Sequence, residues 1–367
     1  MDKVCIFTTV HNWNDNRIFF KEAKSLALYY KVELHAPADF EKKTIDGIEV
    51  IGLPQEKRLI KRVRIWFILW KRLLASDAKV YHFHDPELLV IGLLLSLLHK
   101  KKVVYDVHEQ YRETLKNKLW LSLTTRQIAI TVYDILERLG YKYLSLLVLV
   151  RRTSQQHYPG KSIKLQNFPI LIEVPKTNKK KWDLVYIGGI TKSRGIFELI
   201  RAIDILARKG RKVSLLVIGP IFEKEDEILW EISRRGLDDL ITLKGRIPYN
   251  QAIPLLVQCR IGLAVLHPTG NYQAMYPTKI FEYMLLGLPV ITSNFKLYKG
   301  IVETEQCGLT VNPYNPWELA DAISVLLKNP KLRKKFTENG RRAIKEKYNW
   351  YLESELLLEQ YRKLCAN

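Results

Sequence analysis

Short runs of β-branched and aromatic residues alternate with helix-length amphipathic segments along most of this chain, and this alternation limits its fold more than any other feature. The first half contains VCIFTTV, a helical segment from about 17 to 29, VELHAP, IEVIGLP, VYHFH, a helical segment through 98, and KVVYDVH. Strands that alternate with helices predict a parallel sheet with helices on both faces. We therefore expect an α/β fold.

The alternation pauses and then starts again in the second half. A predicted helix at about 119–139 and the strand LSLLVLV precede KLQNFPILIEVPKTNKKKW, whose prolines and lysines are typical of a linker. The runs DLVYIGG, VSLLVIG, ITLKG, IGLAVL and PVITS then follow, each before or after a helical segment. A chain of 367 residues is also longer than one hydrophobic core usually supports. We predict two doubly wound domains, 1–168 and 169–347, and an amphipathic C-terminal helix, 348–367.

The cysteines and the apolar runs bound the compartment in which the protein works. Cys5, Cys259, Cys307 and Cys365 lie far apart without a CxxC pair, which argues against a disulfide framework and a zinc site. The segment MDKVCIFTTV lacks the parts of a signal peptide. The apolar run LLVIGLLLSLL has about half of the roughly 20 residues that cross a bilayer. We expect a cytoplasmic protein with free thiols.

A formal charge of +21 indicates an anionic partner, and segment 56–74 concentrates much of it. Basic and aromatic residues interleave there at helical spacing: Lys57, Arg58, Lys61, Arg62, Arg64, Trp66, Trp70, Lys71 and Arg72. This pattern is typical of a basic interfacial helix on an anionic membrane surface. An ordinary surface helix with its aromatic side toward the core is the alternative. Without a helix-turn-helix, zinc-finger or RNP pattern, we do not expect nucleic acid as the partner.

Two segments of the second domain favour a phosphate ligand. The turn YIGGITKSRG follows a predicted strand, so that Gly188 and Gly189 admit a ligand close to the backbone while Lys192 and Arg194 supply positive charge. A tight turn without a ligand is the alternative interpretation.

In the second segment, AMYPTKIFEYMLLGLPVI, Pro277 and Thr278 begin a predicted helix. Lys279 lies in its first turn beside free N–H groups, as a second diphosphate contact. Glu282 follows one turn later, where a carboxylate can accept hydrogen bonds from the vicinal hydroxyls of a ribose. A surface residue or a pair with Lys279 is the alternative for Glu282.

Several residues of the first domain are candidates for chemistry at strand ends. His108 in YDVHE is a candidate for proton transfer. The alternative is a histidine of the core whose ring nitrogens are hydrogen-bonded within the protein. His82 and His84 resemble metal ligands, but two histidines at this spacing without a third ligand are weak evidence for zinc, so these residues alone do not call for a metal or another cofactor. Asp15 and Arg17 lie at the first strand-to-helix turn, where they contact a ligand or form a cap with an ion pair.

The chain resembles the family 4 glycosyltransferases of the GT-B fold through several motifs in the family's order. These are YIGGITKSRG, ITLKGRIPYNQAIPLLVQCRIGLAVLHP, PTKIFEYMLLGLPVI, ETEQCGLTVNPYNPWELADAI and EKYNWYLESELLLEQY. HNWNDNRIFFKEAKSL, VYHFHDPELL and VVYDVHEQY resemble a branch found in surface-polysaccharide assembly. The resemblance implies two Rossmann-like domains that face each other across a cleft, and a last helix that crosses back to the first domain.

Carried over by position, Glu282 matches the second glutamate of the family's E-x7-E motif, which binds the donor ribose, while the first glutamate is replaced by Ala274. The family's Arg and Lys pair on the diphosphate falls at Gly189 and Arg194, so that Lys279 is the expected substitute. His108 matches a histidine beside the reacting sugar. Asp15 and Arg17 lie at the turn where the family approaches the donor phosphate or the acceptor. Further donor contacts are implied at these positions: Gly219, Gly245, Arg246 and Pro248.

The resemblance implies a retaining, metal-independent glycosyltransferase that takes a nucleotide-diphosphate sugar. We expect a saccharide or lipid-linked saccharide acceptor, and a protein associated peripherally with the inner face of the membrane. Two alternatives stay open. One is a nucleotide-sugar epimerase of the same fold. The other is a non-catalytic protein that binds a membrane or a partner, which is suggested by Ala274 in place of the family's first motif glutamate.

Overall fold

The computed structural model describes residues 1–56, 59–107, 111–116, 122–150, 160–177, 179–269 and 272–366, without the side chains of 59–61, 113 and 114. Contacts divide the chain into two compact units. The first unit is Met1–Asn167 with Trp350–Asn367, and the second unit is Phe168–Asn349. Among the described residues, no helix combines the length and the apolar character that crossing a membrane requires.

The first unit contains an eight-stranded sheet of order β3-β4-β2-β1-β5-β6-β7-β8. Its strands are β1 (Lys3–Phe7), β2 (Lys31–Pro37), β3 (Lys42–Ile45), β4 (Ile48–Leu53), β5 (Val80–Phe83), β6 (Lys102–Val107), β7 (Leu146–Leu149) and β8 (Ser162–Lys164). Its helices are α1 (Lys24–Ala27), which continues a π-helical segment (Ile18–Ala23), α2 (Leu59–Ala75), α3 (Leu89–His99), α4 (Tyr111–Lys116) and α5 (Leu123–Tyr143). The pairing is parallel except between β3 and β4.

The second unit contains a parallel sheet of order β11-β10-β9-β12-β13-β14. Its strands are β9 (Trp182–Ile187), β10 (Leu215–Ile218), β11 (Ile241–Leu243), β12 (Cys259–Ala264), β13 (Val290–Ser293) and β14 (Gly308–Val311). Its helices are α6 (Ile196–Arg208), α7 (Glu225–Ser233), α8 (Tyr249–Leu256), α9 (Thr278–Leu285), α10 (Lys296–Glu305), α11 (Pro316–Lys328) and α12 (Pro330–Glu346). The strand order reverses beside β9, which is the switch point where doubly wound sheets bind ligands.

Each sheet buries apolar side chains on both faces. In β9, Leu184 belongs to one hydrophobic cluster and Val185 to the other, and in β1 Ile6 and Phe7 divide in the same way. Strands buried on both faces read as continuous apolar runs, as the sequence shows. The structure confirms the prediction of an α/β protein with two doubly wound sheets.

The C-terminal helix α13 (Trp350–Ala366) packs within the first unit. Trp350 donates its indole N–H to Ser25 Oγ at 2.9 Å, and Tyr361 shares a 2.8 Å hydrogen bond with His82 Nδ1. Leu357 and Leu358 lie in the cluster that also holds Ile6. The last helix therefore completes one face of the first sheet.

Candidate functional site

The turn after β9 brings the backbone of two strands unusually close together. Gly188 has φ +131° and Gly219, after β10, has φ +149°. A Cβ on Gly219 would lie 2.0 Å from the carbonyl oxygen of Gly188, so no larger residue fits there. The turn continues through Thr191, whose hydroxyl accepts a hydrogen bond from the Arg194 N–H, and α6 begins directly after Gly195.

Helix α9 begins beside the same turn. Its first-turn residue Lys279 directs Nζ to within 3.1 Å of the position of a Cβ on Gly188 and 4.0 Å from the centre of the Tyr186 ring. This nitrogen is shielded from solvent, and none of the residues that the structure describes accepts a hydrogen bond from it. Burial, and then the charge of Arg194, lower the pKa of Lys279 to about 7, although Glu282 opposes them.

The guanidinium of Arg194 is held by groups on two sides. Its Nε donates to Tyr272 Oη at 3.1 Å, and its Nη1 donates to the carbonyl of Gly189 at 3.4 Å. Tyr298 in turn donates to the carbonyl of Tyr272 at 2.7 Å. These contacts hold the guanidinium of Arg194 near the ammonium of Lys279, so that two cations are neighbours beside the glycine turn.

Both cations line a cavity of about 440 Å³ in the second unit. Six of the residues predicted from the sequence line it: Gly188, Arg194, Pro277, Thr278, Lys279 and Glu282. Tyr249, the first residue of α8, lines it too, and burial and the charge of Glu282 raise the pKa of its hydroxyl. The cavity thus has cations beside the glycine turn and a carboxylate one helical turn from Lys279.

Other predicted donor contacts lie outside this lining. Lys192 pairs instead with Glu227, at 2.9 Å, and its side chain is 55% exposed. Gly219 donates its N–H to the carbonyl of Gly245 at 2.8 Å, so these two residues build the turn. Three further predicted donor contacts lie close in sequence to residues that line the cavity, but do not line it themselves: Gly189, Arg246 and Pro248.

The aromatic part of the cavity wall was not predicted from the sequence. Tyr249, Tyr272, Tyr276 and Tyr298 all line the cavity. Tyr249 directly follows the predicted Pro248, and Tyr276 directly precedes Pro277, so both were within reach of a local pattern. Tyr298 joins through tertiary packing, which no local pattern shows.

The first-unit candidates Asp15 and Arg17 are structural in their observed contacts. Asp15 accepts hydrogen bonds from the N–H groups of Arg17 and Ile18, and although burial raises its pKa, His11 and these N–H groups hold the pKa well below its usual range. Arg17 is buried and lies 2.6 Å from Asp106 and 3.0 Å from Glu22. These contacts correspond to the cap and ion-pair alternative.

The ligand atoms of four buried residues lie within 4.8 Å of one another: Glu22, His82, His84 and Asp106. These are residue types that hold transition metals. The guanidinium of Arg17 contacts both carboxylates, however, and therefore already supplies a cation to the cluster. His108, the catalytic candidate of this unit, lies outside the described residues.

Helix α2 differs from the predicted membrane-facing arrangement. Trp66 and Trp70 pack against the core of the first unit, and Arg62 pairs with Glu87 at 3.1 Å. Arg72 donates to the carbonyl of Gly52 at 3.0 Å. The exposed members of the predicted set are Arg64 and Lys71. Lys57 and Arg58 lie outside the described residues, as does the side chain of Lys61.

Comparison with known proteins connects the second unit to one enzyme family. Residues 167–343 match the family model described as glycosyl transferases group 1. The chain is 28% identical over 182 residues to the alpha-D-kanosaminyltransferase of Streptomyces kanamyceticus, covering 49% of this chain and 45% of that protein. It is 25% identical over 300 residues to the capsular polysaccharide biosynthesis glycosyltransferase CapM of Staphylococcus aureus, covering 75% of this chain and 74% of that protein.

Solved structures share the fold over nearly the full length. Alr3699/HepE of Anabaena, in complex with UDP and glucose, superposes with a TM-score of 0.75 at 16% identity, covering 99% of this chain and 100% of that chain. Such a likeness confirms the predicted fold of two Rossmann-like domains. The chain spans about half the length of several curated relatives that it matches.

Proposed function

Since the chain belongs to the group 1 glycosyltransferases, we propose that its second unit binds a nucleotide-diphosphate sugar and that the protein transfers this sugar to an acceptor hydroxyl. One observation carries the proposal: the buried ammonium of Lys279 and the guanidinium of Arg194 line the same cavity. Burying a cation without a hydrogen-bond acceptor costs free energy, and an anionic ligand that pairs with the cation offsets this cost. Buried cations of this kind therefore indicate an anion-binding site.

The diphosphate binds between the glycine turn and the start of α9. Arg194 presents planar donors to phosphate oxygens, and Lys279 adds a point charge. The free N–H groups in the first turn of α9 add a third positive contribution. The two cations together match the charge of a diphosphate.

The nucleoside extends along α9 toward α8. Glu282 accepts hydrogen bonds from the ribose hydroxyls, and the ring of Tyr249 stacks on the base or the ribose. Backbone groups of Gly245, Arg246 and Pro248 contact the base in this proposal. The relative from Anabaena binds UDP, which supports a uridine nucleotide for this chain as well.

The chemistry is proposed to be retaining and independent of metal. When the anomeric C–O bond breaks, negative charge grows on the departing diphosphate, and Arg194 and Lys279 stabilise it from a wall that is already in place. The donor phosphate accepts the proton of the attacking hydroxyl on the same face. His108 is proposed to lie beside the reacting sugar.

The acceptor is proposed to be a lipid-linked saccharide of cell-surface polysaccharide synthesis, and the protein to work at the cytoplasmic, anionic face of the membrane. The likeness to a capsular polysaccharide glycosyltransferase and the charge of +21 support this part.

The test is a turnover assay with a panel of UDP-, GDP- and ADP-sugars and a lipid extract as acceptor. We expect release of one nucleoside diphosphate together with a labelled lipid product whose new linkage keeps the donor's anomeric configuration by NMR. Arg194→Ala should lower both signals by about 10²- to 10³-fold. Conversion of the donor into a second nucleotide sugar without acceptor, or no turnover with any donor, would contradict the proposal.

A further inference from the structure

Three helices of the first unit, α2, α3 and α5, form one layer over one face of its sheet. Buried side chains of α2, α3 and α5 share the hydrophobic cluster that contains Phe7 of β1. Helices α2 and α3 meet where the Trp70 and His99 rings lie 5.6 Å apart, and α3 meets α5 where Ser96 donates to the carbonyl of Tyr143 at 2.8 Å. The outer side of this layer is therefore one continuous surface, which we call the outer helical face.

The outer helical face carries large apolar side chains on all three helices. Phe67 is 60% exposed on α2, Leu98 is 67% exposed on α3 and Ile128 is 64% exposed on α5. Further exposed apolar residues of the face are Val63, Leu74, Val90, Leu94, Leu97, Val132, Ile135 and Leu139. A surface this apolar is uncommon unless something covers it.

The charges on this face have one sign. Exposed basic residues stand between the apolar ones: Arg64, Lys71, Lys100, Arg138 and Lys142. Among the described side chains of the three helices, the acidic ones are Asp134 and Glu137. Asp134 pairs with Arg112 at 3.5 Å, and Glu137 accepts a 2.6 Å hydrogen bond from Tyr133. The face therefore offers apolar groups and positive charge to its occupant.

We infer that the outer helical face docks onto the surface of an anionic lipid bilayer. Apolar side chains enter the headgroup region while the basic residues contact anionic lipids. A second copy of the chain is a poor occupant, because two faces of the same charge repel each other. This inference rests on the membrane association proposed above. It assigns the contact to apolar side chains of three helices and to basic residues that include Arg64 and Lys71, whereas the tryptophans of α2 pack against the core.

The experiment is vesicle co-sedimentation of the full chain with phosphatidylglycerol–phosphatidylcholine vesicles and with phosphatidylcholine vesicles. The triple variant Phe67→Ser, Leu98→Ser and Ile128→Ser should lose at least about tenfold in partition coefficient, because each burial contributes substantially. A matched control, Trp230→Ser, Trp317→Ser and Val325→Ser, changes equally exposed residues of the second unit and should bind as the unsubstituted protein does. The variant Arg64→Gln, Lys71→Gln and Arg138→Gln should lose the preference for anionic vesicles.

UDP binding, measured on every variant, separates this inference from the proposed donor site, which lies in the second unit. Retained UDP binding with lost vesicle binding is the expected result for the serine triple variant. The inference is overturned if the unsubstituted protein does not bind anionic vesicles, or if the serine triple variant binds them equally well. It is also overturned if light scattering shows a dimer that this variant abolishes while no vesicle binding is seen.

Discussion

The Nζ of Lys279 lies 4.0 Å from the centre of the Tyr186 ring, and none of the described groups accepts a hydrogen bond from it. A cation–π contact of this kind contributes about 0.5 to 2 kcal/mol, which is less than the cost of burying an ammonium. The lowered pKa of Lys279, about 7, expresses this imbalance. Burial of this ammonium therefore lowers the stability of the free protein.

Replacement of Lys279 by Met should stabilise the free protein at pH 6. Below pH 7 the lysine is charged in both the folded and the unfolded states, so the full cost of burial is present. Between pH 7 and the ordinary value of 10.5, the folded protein releases the proton that the unfolded chain keeps, so its stability rises. We expect a gain for Lys279→Met of roughly 2 to 4 kcal/mol at pH 6 that shrinks toward pH 10.

Urea unfolding at the two pH values measures this gain. The control Lys299→Met changes an exposed lysine paired with Glu303 and should alter stability by less than about 1 kcal/mol. Equal stabilities of Lys279→Met and the unsubstituted protein at pH 6 would show that the ammonium is not buried.

Tyr272 positions the guanidinium of Arg194 through the 3.1 Å hydrogen bond from Nε. Arg194→Ala should lower turnover by about 10²- to 10³-fold, since it removes a preorganised charge. Tyr272→Phe leaves the guanidinium in place without its partner and should cost about 3- to 10-fold. The double variant should resemble Arg194→Ala alone in steady-state assays. Additive losses would mean that Tyr272 acts independently of Arg194.

Glu282 should recognise the ribose of the bound nucleotide. Hydrogen bonds to a charged group contribute about 1.5 to 3 kcal/mol, so Glu282→Ala should weaken UDP binding by about 10- to 100-fold. Calorimetry should show that 2′-deoxy-UDP binds more weakly than UDP to the unsubstituted protein. The substitution should weaken its binding by a smaller factor, because only the 3′-hydroxyl remains to donate to Glu282. Glu303→Ala is the matched control on an exposed helix residue. An equal loss with both nucleotides would show that Glu282 does not contact the 2′-hydroxyl, and an unchanged affinity for both would place it away from the ribose.

Arg17 should support the fold of the first unit and leave nucleotide binding unchanged. It is the buried cation between Glu22 and Asp106, and removal of one partner from a buried pair costs about 3 to 5 kcal/mol. Arg17→Leu should therefore lower the urea midpoint strongly, whereas Lys24→Leu, which breaks a half-exposed pair with Asp46, should have little effect. A stable Arg17→Leu protein would favour the other prediction, in which this residue contacts the donor or the acceptor.

Local sequence patterns predicted the parts of the cavity that are built from neighbouring residues. The glycine turn before Arg194 and the helix that begins at Thr278 are both short-range features. The positions of Arg194, Lys279 and Glu282 could therefore be predicted from the sequence. The strand alternation likewise predicted both sheets, because a strand buried on two faces must be apolar throughout.

Side-chain partners that are distant in sequence were not predictable in this way. Lys192 turns to Glu227 and Trp66 donates to Glu87 at 3.4 Å, and each of these partners lies on a different element. The pairing of Arg17 with Asp106 joins residues 89 positions apart. Helical spacing shows which residues share a face, but the packing of neighbouring helices decides whether that face is the buried one.

Calorimetric titration of the protein and of Lys279→Met with UDP, GDP, ADP and CDP at pH 7 tests the central claim most directly. The account predicts micromolar binding of one nucleotide to the unsubstituted protein and a loss of about 100-fold or more in the variant, since the variant removes a buried charge from the diphosphate. Binding of equal strength to both proteins, or binding of none of the four nucleotides, would contradict the assignment of this cavity to a nucleoside diphosphate.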